Sequence, residues 1–262
     1  MANADVFAGK WALVTGASAG IGAALARELA RRGAKLVLTA RRRERLEVLA
    51  AELATQGTET RIIVADLADP AAPQQIFDAA GDLTVEILIN NAGLGQYGAF
   101  CANDADQDAR QVRVNCEAVV RLSRFFVPSM VERQRGWVLV VASTASFQPL
   151  PYLAVYAATK AFDRYFALGL AAEVARLGVK VTALCPGTTE SEFFEVARAS
   201  HFRSRGLQPT AEVARLAIDA LARGRRIILP KPSNRWQTAL VRFLPVNWVT
   251  SFVEKAARPP ES

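Results

Sequence analysis

The chain has 262 residues, 51% of them hydrophobic, enough for one sizeable core. Its net charge of +7 comes almost entirely from an arginine excess, which suits a phosphorylated cofactor, an anionic lipid face or nucleic acid. Apart from clusters at 41–45 and 223–226 the arginines are scattered, without interleaved aromatic residues, so nucleic-acid binding is not expected.

Short β-branched or apolar runs alternate along the chain with Ala/Leu/Arg segments of helical period. "WALVT" (11–15) predicts a strand, "GIGAALARELARRG" (20–33) a helix, "KLVLTA" (35–40) a strand and "RRERLEVLAAELATQG" (42–57) a helix. "TRIIVAD" (60–66) is a third strand, "PQQIFDAAG" (73–81) a helix, and "EILINNAG" (86–93) a fourth strand ending in a glycine turn. One long helix is expected over 109–134, a fifth strand over 136–143, another long helix over 153–178 and a sixth strand over 179–187. A loop (188–208), a helix (210–223) and the short strand "RRIILP" follow, and Pro245 divides the tail into two short helices.

Strands with few polar residues, alternating with helices, predict a parallel sheet covered on both faces. Right-handed crossovers make it a doubly wound α/β sheet. With no Pro/Ser-rich linker or internal repeat, residues 1–230 read as a single domain, and 231–262 as a helical extension packed on it.

The turn "TGASAGIG" (15–22) lies between the first strand and the first helix. Gly16 permits a tight turn, Gly20 lets backbone approach a pyrophosphate, and Gly22 lets the helix pack closely. The helix N-terminus offers N–H groups to an anion. The spacing, G-x-x-x-G-x-G, differs from the usual dinucleotide fingerprint, and a purely structural turn remains the alternative. After strand two, where an NAD site places a carboxylate, the chain reads "TARRRER". Guanidinium groups there suit the 2′-phosphate of NADP(H), which is therefore expected over NAD(H). Arg41 is the first candidate and Arg42 the second, with Ser18 able to add a hydroxyl to the same phosphate.

Tyr156 and Lys160 stand one helical turn apart on one face. A free tyrosine, with its pKa of ~10, is a poor base at neutral pH. A neighbouring ammonium favours the phenolate. On its own Tyr-x-x-x-Lys is a weak pattern. "TGASAGIG", "NNAG" (90–93), Asn115 in "VRVNCEAV", Ser143 in "VVASTAS", "YAATK" and "CPG" (185–187) together make the chain resemble the short-chain dehydrogenase/reductase family. The resemblance covers about residues 8–230, in the family's order and spacing.

That resemblance implies a Rossmann-type sheet of about seven strands, in the order 3-2-1-4-5-6-7, with helices on both faces. It implies a catalytic set of Asn115, Ser143, Tyr156 and Lys160. Tyr156 would exchange a proton with the carbonyl or alcohol oxygen and Ser143 would polarise that oxygen. Lys160 would bind the nicotinamide ribose and lower the tyrosine pKa, and Asn115 would hold a water linking Lys160 to solvent. Cofactor contacts are implied at Gly16, Ser18, Gly20, Ile21, Gly22, Arg41 and Arg42. Further contacts are implied at Asp66, Leu67, Asn90, Ala92 and Gly93, and after strand six at Pro186, Gly187, Thr189 and Ser191. Asp66 would meet the adenine amine, with a helix N-cap as its alternative role.

The substrate pocket is expected from Leu94, Tyr97, Phe100, Phe147, Leu150 and Leu153, with Phe193 and Phe194 beyond strand six, around Ser143 and Tyr156. Such lining favours an apolar ketone, aldehyde or alcohol. Tyr152, also beside this region, either lines the pocket or packs. The reading is thus an NADP(H)-dependent oxidoreductase, with a non-catalytic NADP-binding regulator as the alternative. The family's helical contacts imply a homodimer or homotetramer. The Trp/Arg-rich tail is expected to pack beside the cleft or against a second subunit, the alternative being a peripheral membrane anchor. Cys101, Cys116 and Cys185 form no metal or redox motif and read as reduced core residues, and His201 reads as a loop residue. With a single histidine and widely spaced cysteines no metal site is expected, and the N-terminus lacks a secretory pattern, which points to a cytoplasmic protein.

Overall fold

The computed structural model describes residues 5–190, 192, 197 and 207–259. Seven parallel strands form one sheet: β1 (Trp11–Thr15), β2 (Lys35–Ala40), β3 (Thr60–Val64), β4 (Val85–Asn90), β5 (Gly136–Val141), β6 (Val179–Leu184) and β7 (Ile227–Ile228). Their order is β3-β2-β1-β4-β5-β6-β7, the expected doubly wound arrangement. β1 pairs with β2 on one side and β4 on the other, so the strand order reverses there and a crevice opens above their C-terminal ends.

Alternate side chains feed two cores. Ala12, Val14, Leu36, Leu38, Ile87 and Ile89 enter one, and Leu13, Val37, Leu88, Val138 and Val140 the other. Both sets are buried, which is why apolar residues dominate both faces of these strands. Helices α1 (Gly20–Arg31), α2 (Arg43–Ala54) and α7 (Thr210–Ala222) cover the first face. Helices α3 (Ala72–Ala80), α5 (Ala118–Glu132) and α6 (Ala154–Val174) cover the second.

The long helix expected at 109–134 differs in a useful way. It is α4 (Ala105–Val112), a π-helical turn (Arg113–Glu117) and then α5. The widened turn carries Asn115, whose side chain clamps the backbone of Leu94: Nδ2 donates to Leu94 O and Oδ1 accepts from Leu94 N. π-turns of this kind are often found at functional sites.

The tail forms α8 (Pro232–Val241) and α9 (Val246–Ala257), with Pro245 as the N-cap of the second. Their inner faces pack: Thr238, Val249 and Ala257 are buried. The expectation of packing holds for that face alone, because Trp236, Leu240, Phe243, Leu244, Trp248 and Phe252 are exposed. Cys101 is also exposed, in a 3-10 turn at 100–102, so it is not a core residue. Cys116 is half-buried and Cys185 buried, and all three are free thiols. His201 lies outside the described residues.

Candidate active site

The cleft above β1 and β4 is a cavity of about 810 Å³. Its floor is tied together by Thr15, whose hydroxyl donates to Ile89 O and accepts from the N–H groups of Asn91 and Ala92. Asn91 Nδ2 donates to Thr15 O and Gly16 O, bracing the glycine turn. A Cβ on Gly22 would fall 2.3 Å from Gly16 O, and one on Gly16 would fall 2.8 Å from Asn91 Nδ2. Side chains are therefore excluded from this turn, while the first N–H groups of α1 have no side-chain cap. That is a cradle for a pyrophosphate, so the residues present fit a dinucleotide.

Gly16, Ser18, Gly20, Ile21, Gly22, Arg41 and Arg42 all line this cleft, as do Asp66, Leu67, Ala92, Gly93, Pro186, Gly187 and Thr189. Asn90 does not. It ends β4 on the opposite side of the strand, where its amide donates to Ser123 Oγ at 3.2 Å. The period-2 alternation of a strand gives the cleft to Asn91 instead. Ser191 lies outside the described residues.

Arg42 donates to Ser18 Oγ from Nη2 at 3.2 Å. It also pairs with Glu192 Oε2 at 2.9 Å, and Arg45 pairs with the other oxygen of the same carboxylate. These hydrogen bonds, from Arg45 first and Arg42 second, hold the Glu192 carboxyl below its usual pKa. The basic segment after β2 thus meets a carboxylate from the segment after β6. Asp66 is not a helix cap: Oδ1 accepts from Ala68 N and Oδ2 pairs with Arg110.

The chemical end of the cleft is built by β5 and α6. Ser143 follows β5 and its Oγ accepts from Ala145 N at 3.1 Å. The Ser143 and Tyr156 side chains are hydrogen-bonded. Lys160 is buried one turn below Tyr156, and its Nζ donates to Val141 O at 2.8 Å and Asp163 Oδ2 at 2.9 Å. Sequence reasoning missed Asp163, although its place three residues after Lys160 puts it on the same helix face. Burial pushes its carboxyl up to about 6, against the pull of Lys160. Burial is the largest influence on Lys160 and acts to lower its pKa, yet the charge and hydrogen bond of Asp163 together with the charge of Tyr156 outweigh it and the net shift is upward.

Tyr156 was expected to have a lowered pKa. The net shift is upward, because burial dominates and Asp163 adds to it, against the lowering effects of Lys160 and Ser143. Asn115 is fully buried, with Nδ2 donating to Leu94 O and Thr159 Oγ1. Its amide reaches the Leu94 backbone and Thr159, and Lys160 is held by other groups.

Leu94, Leu150, Leu153, Ser143 and Tyr156 line the cleft as expected. Tyr97 and Phe147 do not. Tyr97 Oη donates to Ala257 O, fastening α9, and Phe147 packs in the core under the Arg164 guanidinium, 4.2 Å from its ring centre. Phe100 is exposed outside the cleft. Phe193 and Phe194 lie outside the described residues. Tyr152, at φ +64°, donates to Glu254 Oε1 at 2.8 Å and so ties the loop to α9 rather than lining the cleft. Asn234, Gln237 and Thr238 of α8 and Val253 of α9 complete the wall. The only sequence signal for them was the apolar period of the tail.

The short chain dehydrogenase family pattern matches residues 10–201, well over half of the chain. A very-long-chain 3-oxoacyl-CoA reductase of Anas platyrhynchos is 36% identical over 201 residues, which cover 73% of this chain and 64% of that protein. This chain therefore spans a little under two thirds of that relative's length. The Danio rerio very-long-chain 3-oxoacyl-CoA reductase-B is 34% identical over 254 residues, covering 94% of this chain and 79% of that one. A solved short-chain dehydrogenase from Sphingobium yanoikuyae, in complex with NADPH, superposes with a TM-score of 0.82 at 31% identity, covering 97% of this chain and 98% of its own.

Proposed function

Because the chain belongs to the short-chain dehydrogenase/reductase family, we propose that it is an NADP(H)-dependent oxidoreductase interconverting an apolar ketone or aldehyde and its alcohol. The observation that carries this reading is one cleft holding both the glycine cradle and the Ser143–Tyr156–Lys160 cluster. When bound, the nicotinamide supplies or accepts the hydride. The phenol of Tyr156 gives its proton to the carbonyl oxygen in reduction and takes it back in oxidation. Ser143, already bonded to Tyr156, is placed to donate to the same oxygen as charge develops on it. Lys160 steadies the phenolate that is left, and its contacts with Val141 O and Asp163 fix the position of its ammonium.

With its pKa raised, the Tyr156 phenol is protonated at neutral pH, the form that donates in the reductive step. Arg41 and Arg42 on the wall beside Ser18 support NADP(H) over NAD(H), and the Sphingobium relative was solved with NADPH. Leu94, Leu150, Leu153 and Val253 support an apolar substrate, in keeping with the oxoacyl relatives. Asn115 is read as a positioning residue for this site, through its clamp on Leu94. The reading includes residues 231–262 as part of the same domain, a homodimer or homotetramer, and a cytoplasmic location, which light scattering and cell fractionation test.

Tyr156→Phe should lower ketone turnover by about 10²–10⁴-fold while NADPH still quenches protein fluorescence with near wild-type affinity. Retained turnover would overturn the mechanism. A kcat/KM with NADH equal to that with NADPH would overturn the cofactor assignment.

A further inference from the structure

Helices α8 and α9 present two different faces. The inner one is fixed to the body of the protein: Tyr97 donates to Ala257 O, Tyr152 donates to Glu254, and Val249 and Thr238 are buried. The outer one carries Trp236 (81% exposed), Phe243 (86%), Trp248 (72%) and Phe252 (75%), with Leu240 and Val246 between them. Trp236 and Leu240 stand one turn apart on α8, as do Trp248 and Phe252 on α9, with Phe243 in the turn between, so each helix shows apolar residues outward. Large apolar side chains exposed together on two consecutive helices mark an interaction site rather than ordinary surface scatter.

The charges select the partner. Residues 231–259 hold Lys231, Arg235, Arg242, Lys255 and Arg258 against a single acid, Glu254. The Glu254 carboxylate is already engaged by Tyr152 and Arg258. Arg235, Arg242 and Lys255 therefore accompany the apolar stripes with Glu254 as the one carboxylate in the segment. A second copy docked here about a twofold axis would set these like charges face to face. An anionic phospholipid surface answers both features, with headgroups for the basic residues and the acyl boundary for tryptophan and phenylalanine. Among the described residues no helix is long and apolar enough to cross a membrane, so the geometry is that of helices lying in the interface.

We infer that the outer faces of α8 and α9 form a membrane-docking surface for anionic phospholipid bilayers. The same helices wall the cleft from inside through Gln237, Thr238, Val253 and Ala257, so docking sets that wall against the bilayer. The inference does not depend on which carbonyl the cleft reduces.

The test is co-sedimentation of the full chain with vesicles of phosphatidylcholine alone and of phosphatidylcholine with phosphatidylglycerol. The wild type should pellet with the anionic vesicles and be released by salt. Its tryptophan emission should be quenched by brominated acyl chains, through Trp236 and Trp248. Combining Trp236→Ser, Phe243→Ser, Trp248→Ser and Phe252→Ser should weaken binding roughly tenfold or more, with an unchanged melting temperature and unchanged turnover of a water-soluble ketone. Arg235→Gln with Arg242→Gln and Lys255→Gln should remove the preference for anionic vesicles. Wild-type protein that stays in the supernatant at low salt would overturn the inference. So would a wild-type oligomer that the serine variant dissociates to monomers, which would give this face to a second copy.

Discussion

Asp163 closes on Lys160 in the interior, while Glu192 meets Arg42 and Arg45 in the open. Both are carboxylates pairing with cations along one cleft, and their carboxyl pKa values move in opposite directions. Burial drives Asp163 up to about 6 although Lys160 pulls it down. Hydrogen bonds from Arg45 and Arg42 hold Glu192 down, with little burial to oppose them. A buried pair owes its geometry to the absence of water and cannot trade partners. An exposed pair contributes about 0–1 kcal/mol and can exchange its partner for an incoming anion. The protein thus has a fixed cation beside its proton donor and exchangeable ones where a phosphate is expected.

The largest expected effect comes from neutralising the buried member. The Asp163 carboxyl titrates in the fold at about 6, against an ordinary 3.8. A raised carboxyl favours the folded state most below the ordinary value, and that contribution is lost as pH rises through about 6. This carboxyl should therefore contribute a loss of stability between about pH 4 and 6, on the order of a few kcal/mol and read as the difference between wild type and Asp163→Asn, since each tenfold difference in proton affinity is worth about 1.4 kcal/mol. Asp163→Asn should lack this step in urea unfolding curves. Removing the anion also removes one cause of the raised Tyr156 pKa. The pH–rate curve for alcohol oxidation by Asp163→Asn should accordingly move towards acid. A move towards alkali would show instead that Lys160 had lost its proton without its partner.

The open cluster should respond less, and selectively. Arg42→Ala removes the guanidinium that bonds Ser18 and Glu192. It should lower kcat/KM for NADPH by about tenfold to a hundredfold, the scale of one or two charge-assisted contacts, and leave that for NADH nearly unchanged. Equal losses with both cofactors would mean that Arg42 shapes the cleft without reading the phosphate.

The same contrast explains what the sequence made legible. The doubly wound parallel sheet was legible because its strands are mostly apolar and alternate with helices, and its strand order because the motifs resemble a known family. The Gly16–Gly22 turn, Ser143, Tyr156 and Lys160 were legible because their spacing is local or carried by a known motif. Asn90 was misassigned because two consecutive asparagines look alike until the strand's alternation places one in the core and the other in the cleft. Phe147 and Tyr97 were aromatic and near the motifs, but their rings serve the core and the tail. Glu192 was invisible because its partners are roughly 150 residues away in sequence. The sign of the Tyr156 shift was also hidden, because burial outweighs the expected lysine and Asp163 adds a smaller push in the same direction as burial.

The smallest effect, and the sharpest test of the contrast, is expected from Glu192→Gln. Its carboxylate occupies the guanidinium groups that a 2′-phosphate would use, so NADPH has to displace it or share them with it. Neutralising it removes a competing anion and leaves an amide of similar shape. NADPH affinity, read by fluorescence quenching, should rise a few-fold, and NADH affinity should stay put because no phosphate is involved. Stability should change by no more than about 1 kcal/mol, since the pair is exposed and screened, and added salt should shrink the NADPH gain because the competition is between charges. If NADPH binding weakens instead, Glu192 holds Arg42 and Arg45 in a binding geometry rather than competing for them. The open cluster would then be no freer to rearrange than the buried one.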